Sequence, residues 1–207
     1  MPSLKERYTV GARALATRAM TGLARSRVTP NALTASGVLL CAAASVLVYF
    51  EYRNEILFYW TGAVVFVVGS VLDILDGALA RLSGKGTPFG AFLDSTTDRI
   101  SEGFMLTAIA YVLATHHHPV FVAVAMAAVA GSFLVSYTRA KAEALGLRGD
   151  VGIGSRAERV VVITAGLVLA PWGVLPWSLV LLAATAWITV AQRVLHVRKQ
   201  LMEASSE

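Results

Sequence analysis

Asp73-Ile-Leu-Asp76-Gly77-Ala-Leu-Ala80-Arg81, followed by Gly90-Ala-Phe-Leu-Asp94-Ser-Thr-Thr-Asp98, sets four carboxylates at the ends of membrane-length apolar runs. At a bilayer centre a single Asp costs roughly 2.5–3.5 kcal/mol, so four of them persist only where something offsets their charge. On a helix Asp73 and Asp76 are i,i+3 neighbours, while Gly90, Asp94 and Asp98 follow one another at i,i+4, so each set shares one face. The spacing predicts two facing helices that converge their carboxylates on a hard divalent cation.

Composition fixes the setting of that site. The chain has 207 residues, 56% hydrophobic and 15% charged, and a mean hydropathy of +0.64, values typical of a polytopic membrane protein. The lone Cys41 lies in an apolar run, which excludes an internal disulfide and a cysteine-based metal cluster. Charges up to Arg27 precede the first apolar run and no short hydrophobic core with a cleavage site is present, so no cleavable signal peptide is expected.

Apolar stretches run from Val28 to Phe50, Ile56 to Leu72, Gly103 to Thr138 and Val160 to Gln192. The last two are too long for one span each, and His118-Pro119 and Pro171-Trp-Gly-Val-Leu-Pro176 divide them, because Pro and Gly break helices. The expectation is an all-α fold with six transmembrane helices: Asn31 to Phe50, Ile56 to Leu82, Gly90 to Ala114, Val120 to Leu145, Arg156 to Leu169 and Pro176 to Arg198. An even number of spans puts both termini on one side, and that side collects every Lys and Arg except Arg53, which places it at the cytoplasm with the carboxylates. The net charge of +5 therefore describes a surface facing membrane or anions, and nothing resembles a nucleic-acid module.

Residues 1–30 read as a separate unit ahead of a membrane domain over 31–207. Leu4, Tyr8, Ala12, Leu15, Ala19 and Leu23 recur at helical spacing with Arg7, Arg18 and Arg25 toward another face, the pattern of an amphipathic juxtamembrane helix in the headgroup plane. That helix should end at Pro30, with Asn31 capping the next one.

Carboxylates are the ligands Mg²⁺ and Mn²⁺ prefer, with phosphate oxygens and water completing the shell. Gly77 and Ala80 leave room for a substrate against the helix, and Arg81 supplies a planar fork for phosphate oxygens. Thr87, with Gly84, Gly86 and Gly90, offers hydroxyl and backbone N–H donors. The set suits a diphosphate. Glu102, one turn beyond Asp98, is expected in an ion pair or in helix packing, and His116, His117 and His118 in a solvated turn.

Position for position, Asp73-x2-Asp76-Gly77-x2-Ala80-Arg81-x8-Gly90-x3-Asp94-x3-Asp98 resembles the signature of the CDP-alcohol phosphotransferases. The resemblance implies a six-helix membrane enzyme, usually a homodimer, that uses Mg²⁺ or Mn²⁺ to transfer a phosphatidyl group from a CDP-linked lipid to an alcohol, releasing CMP. It further implies that Asp73, Asp76 and Asp94 hold metal. Asp98 would complete the metal site and act as the catalytic base on the acceptor hydroxyl. Asn31, Gly77, Ala80, Arg81 and Thr87 would lie against the CDP-lipid.

For the acceptor, arginines at the ends of helices four, five and six supply more cations than a neutral alcohol needs, so a phosphorylated acceptor is expected; positive-inside flanks are the alternative. Ser136-Tyr-Thr-Arg139-Ala-Lys141-Ala-Glu143, Leu145-Gly-Leu147-Arg148-Gly-Asp150 and Arg156-Ala-Glu158-Arg159 resemble the actinobacterial phosphatidylinositol phosphate synthases and their archaeal relatives. That likeness implies that Ser132, Arg139, Arg156 and Arg193 bind the phosphate of inositol 1-phosphate, with CDP-diacylglycerol as donor. Two positions depart from the subfamily: Arg139 stands where Lys is usual, and Ser155 where an acidic residue is usual. Glycerol 3-phosphate, giving phosphatidylglycerol phosphate, is the alternative acceptor. A divalent-cation transporter is the alternative class; it accounts for the aspartates but not for Gly77, Ala80 and Arg81 beside them.

Overall fold

Prolines and glycines punctuate this chain, and helices start and stop where they fall. The computed structural model describes residues 29–84 and 86–204. Among them are six α-helices and no strand: α1 (Pro30–Tyr49), α2 (Glu55–Ser83), α3 (Pro88–Thr115), α4 (Pro119–Ala144), α5 (Arg156–Val168) and α6 (Leu175–Ala204). Short 3-10 turns, Glu51–Arg53 and Ala170–Trp172, follow α1 and α5. The expected amphipathic helix lies outside the described residues.

Helix starts follow one local rule. At α1 and α3 a Thr-Pro pair opens the helix: Pro30 and Pro88 occupy the first helical position, where the missing N–H costs nothing. Thr29 Oγ1 accepts from Ala32 N (3.2 Å) and Thr87 Oγ1 from Gly90 N (2.9 Å). The expectation that Asn31 caps α1 is thereby corrected; Thr29 does so, one residue before the proline. Asn54 Oδ1 caps α2 through Leu57 N (3.0 Å). Gly146, in the left-handed region, ends α4 while Leu147 N bonds back to Ala142 O, the arrangement only glycine reaches cheaply.

Four helices are long and apolar enough to cross a membrane: α1, α2 over Glu55–Arg81, α4 and α6. α3 has 28 residues but carries Asp94, Asp98, Arg99 and Glu102 within its first 15. α5 has 13 residues, short of the ~20 that span a bilayer.

The described residues form two compact units, one drawn from residues 29–40 and 68–100 without 85, the other from 41–67 and 101–204. In the first, Gly37 lets α1 and α2 meet backbone to backbone; a Cβ there would lie 2.9 Å from Gly69 O and 3.4 Å from Asp73 Cβ. The second holds an apolar core that includes Cys41, Phe66, Met105, Ile109, Ala128, Ile163, Leu167 and Leu179. There α6 packs on α4 and α5 through small residues: a Cβ on Gly131 would come within 2.9 Å of Ala186 Cβ, and Trp187 Nε1 donates to Ala127 O (3.1 Å). His116, His117 and His118 are exposed, and His116 Nε2 pairs with the buried Glu51 Oε1 at 2.9 Å, so this turn serves packing.

Candidate active site

Three of the four signature carboxylates come together. Asp73 and Asp76, one turn apart on α2, and Asp94 on α3 offer ligand oxygens within 4.8 Å of one another. Asp73 and Asp76 are buried at 3% and 2% exposure. Asp76 Oδ2 accepts a bond from the Thr34 hydroxyl on α1, while its Oδ1 is buried with no hydrogen-bond partner among the described residues. A buried carboxylate oxygen without a donor is costly, and a hard divalent cation satisfies it with oxygen-only coordination. The donor set therefore fits Mg²⁺ or Mn²⁺. Asp98 is not in the trio; it is half-buried one turn further along α3, its Oδ2 3.5 Å from Arg99 Nη1.

Beside the trio lies a cavity of about 250 Å³ whose walls include Asn31, Thr34, Asp76, Gly77, Ala80, Arg81, Thr87, Gly90 and Asp94. Every residue expected against the CDP-lipid, Asn31, Gly77, Ala80, Arg81 and Thr87, thus lines one space. The Arg81 guanidinium folds over Gly77: a Cβ on that glycine would sit 3.6 Å from Arg81 Nη1. Gly90 opens the opposite wall, where a Cβ would meet Thr87 Oγ1 at 3.2 Å and Asn31 Oδ1 at 3.6 Å. Thr87 Oγ1 spends a lone pair on capping α3, which leaves its proton to donate into the cavity.

The residues expected at the acceptor phosphate all belong to the second unit, and their surroundings differ. Ser132 on α4 is buried with its Oγ unpartnered among the described residues. Arg139, seven residues on, is exposed and bonds Glu143 Oε1 at 2.9 Å. Arg156 is half-buried as the first residue of α5. Arg193 on α6 is buried and donates Nε to Val151 O (2.8 Å) and Nη1 to Val135 O, so backbone carbonyls hold part of its fork. Ser155 is the N-cap of α5 in a full capping box: its N–H donates to Glu158 Oε2 (2.6 Å) and its Oγ accepts from Glu158 N (3.4 Å). Asp and Ser serve almost equally well at an N-cap, which accounts physically for serine at a position usually acidic.

Two features escaped the sequence reading. Thr34 is one of few hydroxyls in the apolar run of α1 and lies one turn from Asn31, which is the only local signal it carries. The second is the partner of Glu102: the expected ion pair exists, with Arg159 donating Nε to Oε1 at 2.8 Å and Nη2 to Oε2 at 3.0 Å.

The profile of the CDP-alcohol phosphatidyltransferase family matches residues 27–195, and the chain belongs to that family. It is 37% identical over 180 residues to an archaetidylinositol phosphate synthase of Pyrococcus horikoshii, covering 86% of this chain and 88% of that one. It is 38% identical over 181 residues to a phosphatidylinositol phosphate synthase of Mycolicibacterium smegmatis, covering 84% and 79%. The Mycobacterium tuberculosis phosphatidylinositol phosphate synthase has been solved in complex with manganese and citrate; it superposes with a TM-score of 0.78 at 34% identity over 87% of this chain and 88% of that one. The same protein with CDP-DAG bound gives 0.78 at 33% identity, over 87% and 92%.

Proposed function

We propose that this chain transfers a phosphatidyl group from CDP-diacylglycerol to inositol 1-phosphate, giving phosphatidylinositol phosphate and CMP. The observation that carries the reading is the Asp73–Asp76–Asp94 trio, with its unsatisfied Asp76 oxygen, opening on a cavity that also holds Arg81. Family membership supports the reaction type. Manganese and CDP-DAG bound in the M. tuberculosis relative support the cofactor and the donor. The names of the P. horikoshii and M. smegmatis relatives share inositol phosphate and differ in the lipid, which favours that acceptor.

When bound by Asp73, Asp76 and Asp94, Mg²⁺ or Mn²⁺ supplies Lewis-acid neutralisation of the diphosphate and its leaving group. Arg81, held over Gly77, grips phosphate oxygens, and Asn31, Ala80 and Thr87 bound the nucleotide end. Asp98 completes the metal site and takes the proton of the acceptor hydroxyl while that oxygen attacks the lipid-side phosphorus; the bond to the bridging oxygen breaks and CMP leaves. Ser132, Arg139, Arg156 and Arg193 bind the acceptor phosphate. Arg81 in the same cavity as the carboxylates works against a cation-transport path.

In this reading the chain is a multi-pass protein of the cell membrane with six spans, α3 and α5 included, and with both termini and the carboxylates toward the cytoplasm. The near-total segregation of Lys and Arg supports that sidedness. The sequence pattern of residues 1–30 suits an interfacial segment ahead of the membrane domain over 31–207, and two copies form a homodimer, as the family resemblance implies.

The test is CMP release from CDP-diacylglycerol with a panel of inositol 1-phosphate, free inositol, glycerol 3-phosphate and serine, with and without chelator. Turnover is expected with inositol 1-phosphate, little with free inositol, none with serine, and none after chelation until Mg²⁺ or Mn²⁺ is restored. A preference for glycerol 3-phosphate would overturn the acceptor; metal-independent turnover would overturn the site.

A further inference from the structure

Glu102 and Arg159 form a buried bidentate ion pair, and both are more than nine-tenths buried, at 8% and 6% exposure. A buried ion pair of this kind adds little stability, because desolvating two charges offsets most of their attraction and an apolar pair of similar volume would do as well. What it provides is a planar fork locked in one orientation. With Nε and Nη2 given to Glu102, Arg159 aims Nη1 at the Gly154 carbonyl, 2.8 Å away, a bond no apolar residue could make.

Gly154 is the last residue before the Ser155 cap. Its loop lies directly on α6: a Cβ at Gly152, whose φ is +125°, would fall 2.3 Å from Thr189 Cγ2, and one at Gly154 would fall 3.0 Å from Thr189 Oγ1. Arg193 holds the Val151 carbonyl in the same stretch. The chain is thus fixed at 151 and 154 by two arginines, turns through the Ser155–Glu158 capping box, and delivers Arg156 as the first residue of α5.

We propose that the Glu102–Arg159 pair is a positioning device for the acceptor: by anchoring Gly154 it fixes the start of α5 and the direction from which Arg156 reaches the acceptor phosphate. This rests on the proposed function for the phosphate role of Arg156. Arg159 itself is a positioning residue, its charge cancelled by Glu102.

The experiment uses the full chain and measures KM for each substrate separately. Glu102→Gln should raise the KM for inositol 1-phosphate about tenfold while the KM for CDP-diacylglycerol stays within about twofold. Combined with Arg156→Ala, it should raise the acceptor KM no further than Arg156→Ala alone, since groups acting through one another are not additive. Ser155→Ala loosens the same start without burying a lone charge and should raise the acceptor KM in the same direction, with Ser155→Asp restoring it. An unchanged acceptor KM in folded Glu102→Gln, a parallel rise in both KM values, or multiplying factors in the double variant would each overturn the proposal. If Glu102→Gln fails to fold, the Ser155 pair decides: no acceptor effect in Ser155→Ala, or no recovery in Ser155→Asp, refutes it. A wild type that prefers glycerol 3-phosphate refutes the acceptor identity instead, and the same variants are then compared on that acceptor.

Discussion

Thr34→Val isolates the contribution of the α1 hydroxyl to the metal site. Valine has nearly the shape of threonine, so no cavity forms at a position only 3% exposed. What is lost is the bond to Asp76 Oδ2, with the hydroxyl's 3.1 Å contact to the Pro30 carbonyl in its own helix, and a second oxygen of that carboxylate is left without its protein donor. A hydrogen bond to a charged group contributes about 1.5–3 kcal/mol, which at about 1.4 kcal/mol per factor of ten is about 10- to 150-fold. Groups that orient a metal ligand from behind change metal affinity by about 10- to 100-fold. The two ranges agree, so the Mn²⁺ concentration for half-maximal CMP release should rise about 10- to 100-fold, with kcat largely recovered at saturating metal. Direct Mn²⁺ binding by electron paramagnetic resonance should weaken in parallel, and Thr34→Ser, which keeps the hydroxyl, should remain near wild type. A Thr34→Val half-activation point within about twofold of wild type would refute the claim that this bond orients Asp76.

Asp98→Asn should keep CDP-diacylglycerol binding and lose turnover by at least the roughly 10²-fold typical of general-base removal; near-normal kcat in that variant would remove Asp98 from the chemistry. Arg156→Ala and Arg193→Ala should both raise the acceptor KM far more than that for CDP-diacylglycerol, and Arg193→Ala should also lower the thermal midpoint, because its fork holds the Val151 and Val135 carbonyls. A wild-type thermal midpoint in Arg193→Ala would count against that structural part.

Much of this fold was legible because membrane helices announce their ends locally. Pro119, Gly173 and the Thr-Pro pairs act through neighbouring backbone atoms, so the sequence expectation and the structure agree to within a residue or two at most boundaries. The end of α6 differs by six residues, Arg198 against Ala204, because charge ends an apolar run without ending a helix; Lys199 and Glu203 pair at i,i+4 and carry the helix onward. At the site, helical spacing could place Asp73 with Asp76 and Asp94 with Asp98 on two converging faces; the structure brings Asp94 to the α2 pair and leaves Asp98 outside the trio. The Thr34–Asp76 bond joins positions 42 residues apart and leaves no periodic trace. Arg193 shows the complementary gap: the sequence reveals its charge, while its carbonyl partners on α4 and in the loop before α5 emerge only from packing.

The close approach of α1 and α2 at Gly37 bears on how an enzyme of lipid synthesis copes with a solvent that its own product alters. Side-chain packing between membrane helices yields when bilayer thickness changes, as helices tilt to match it. Two backbones in contact cannot yield in that way: the distance from Gly37 to the Gly69 carbonyl, one turn before Asp73, is set by the radii of peptide atoms. The stop beneath the carboxylates is therefore a contact between backbone atoms, and the closest approach it sets stays constant as the surrounding lipid changes.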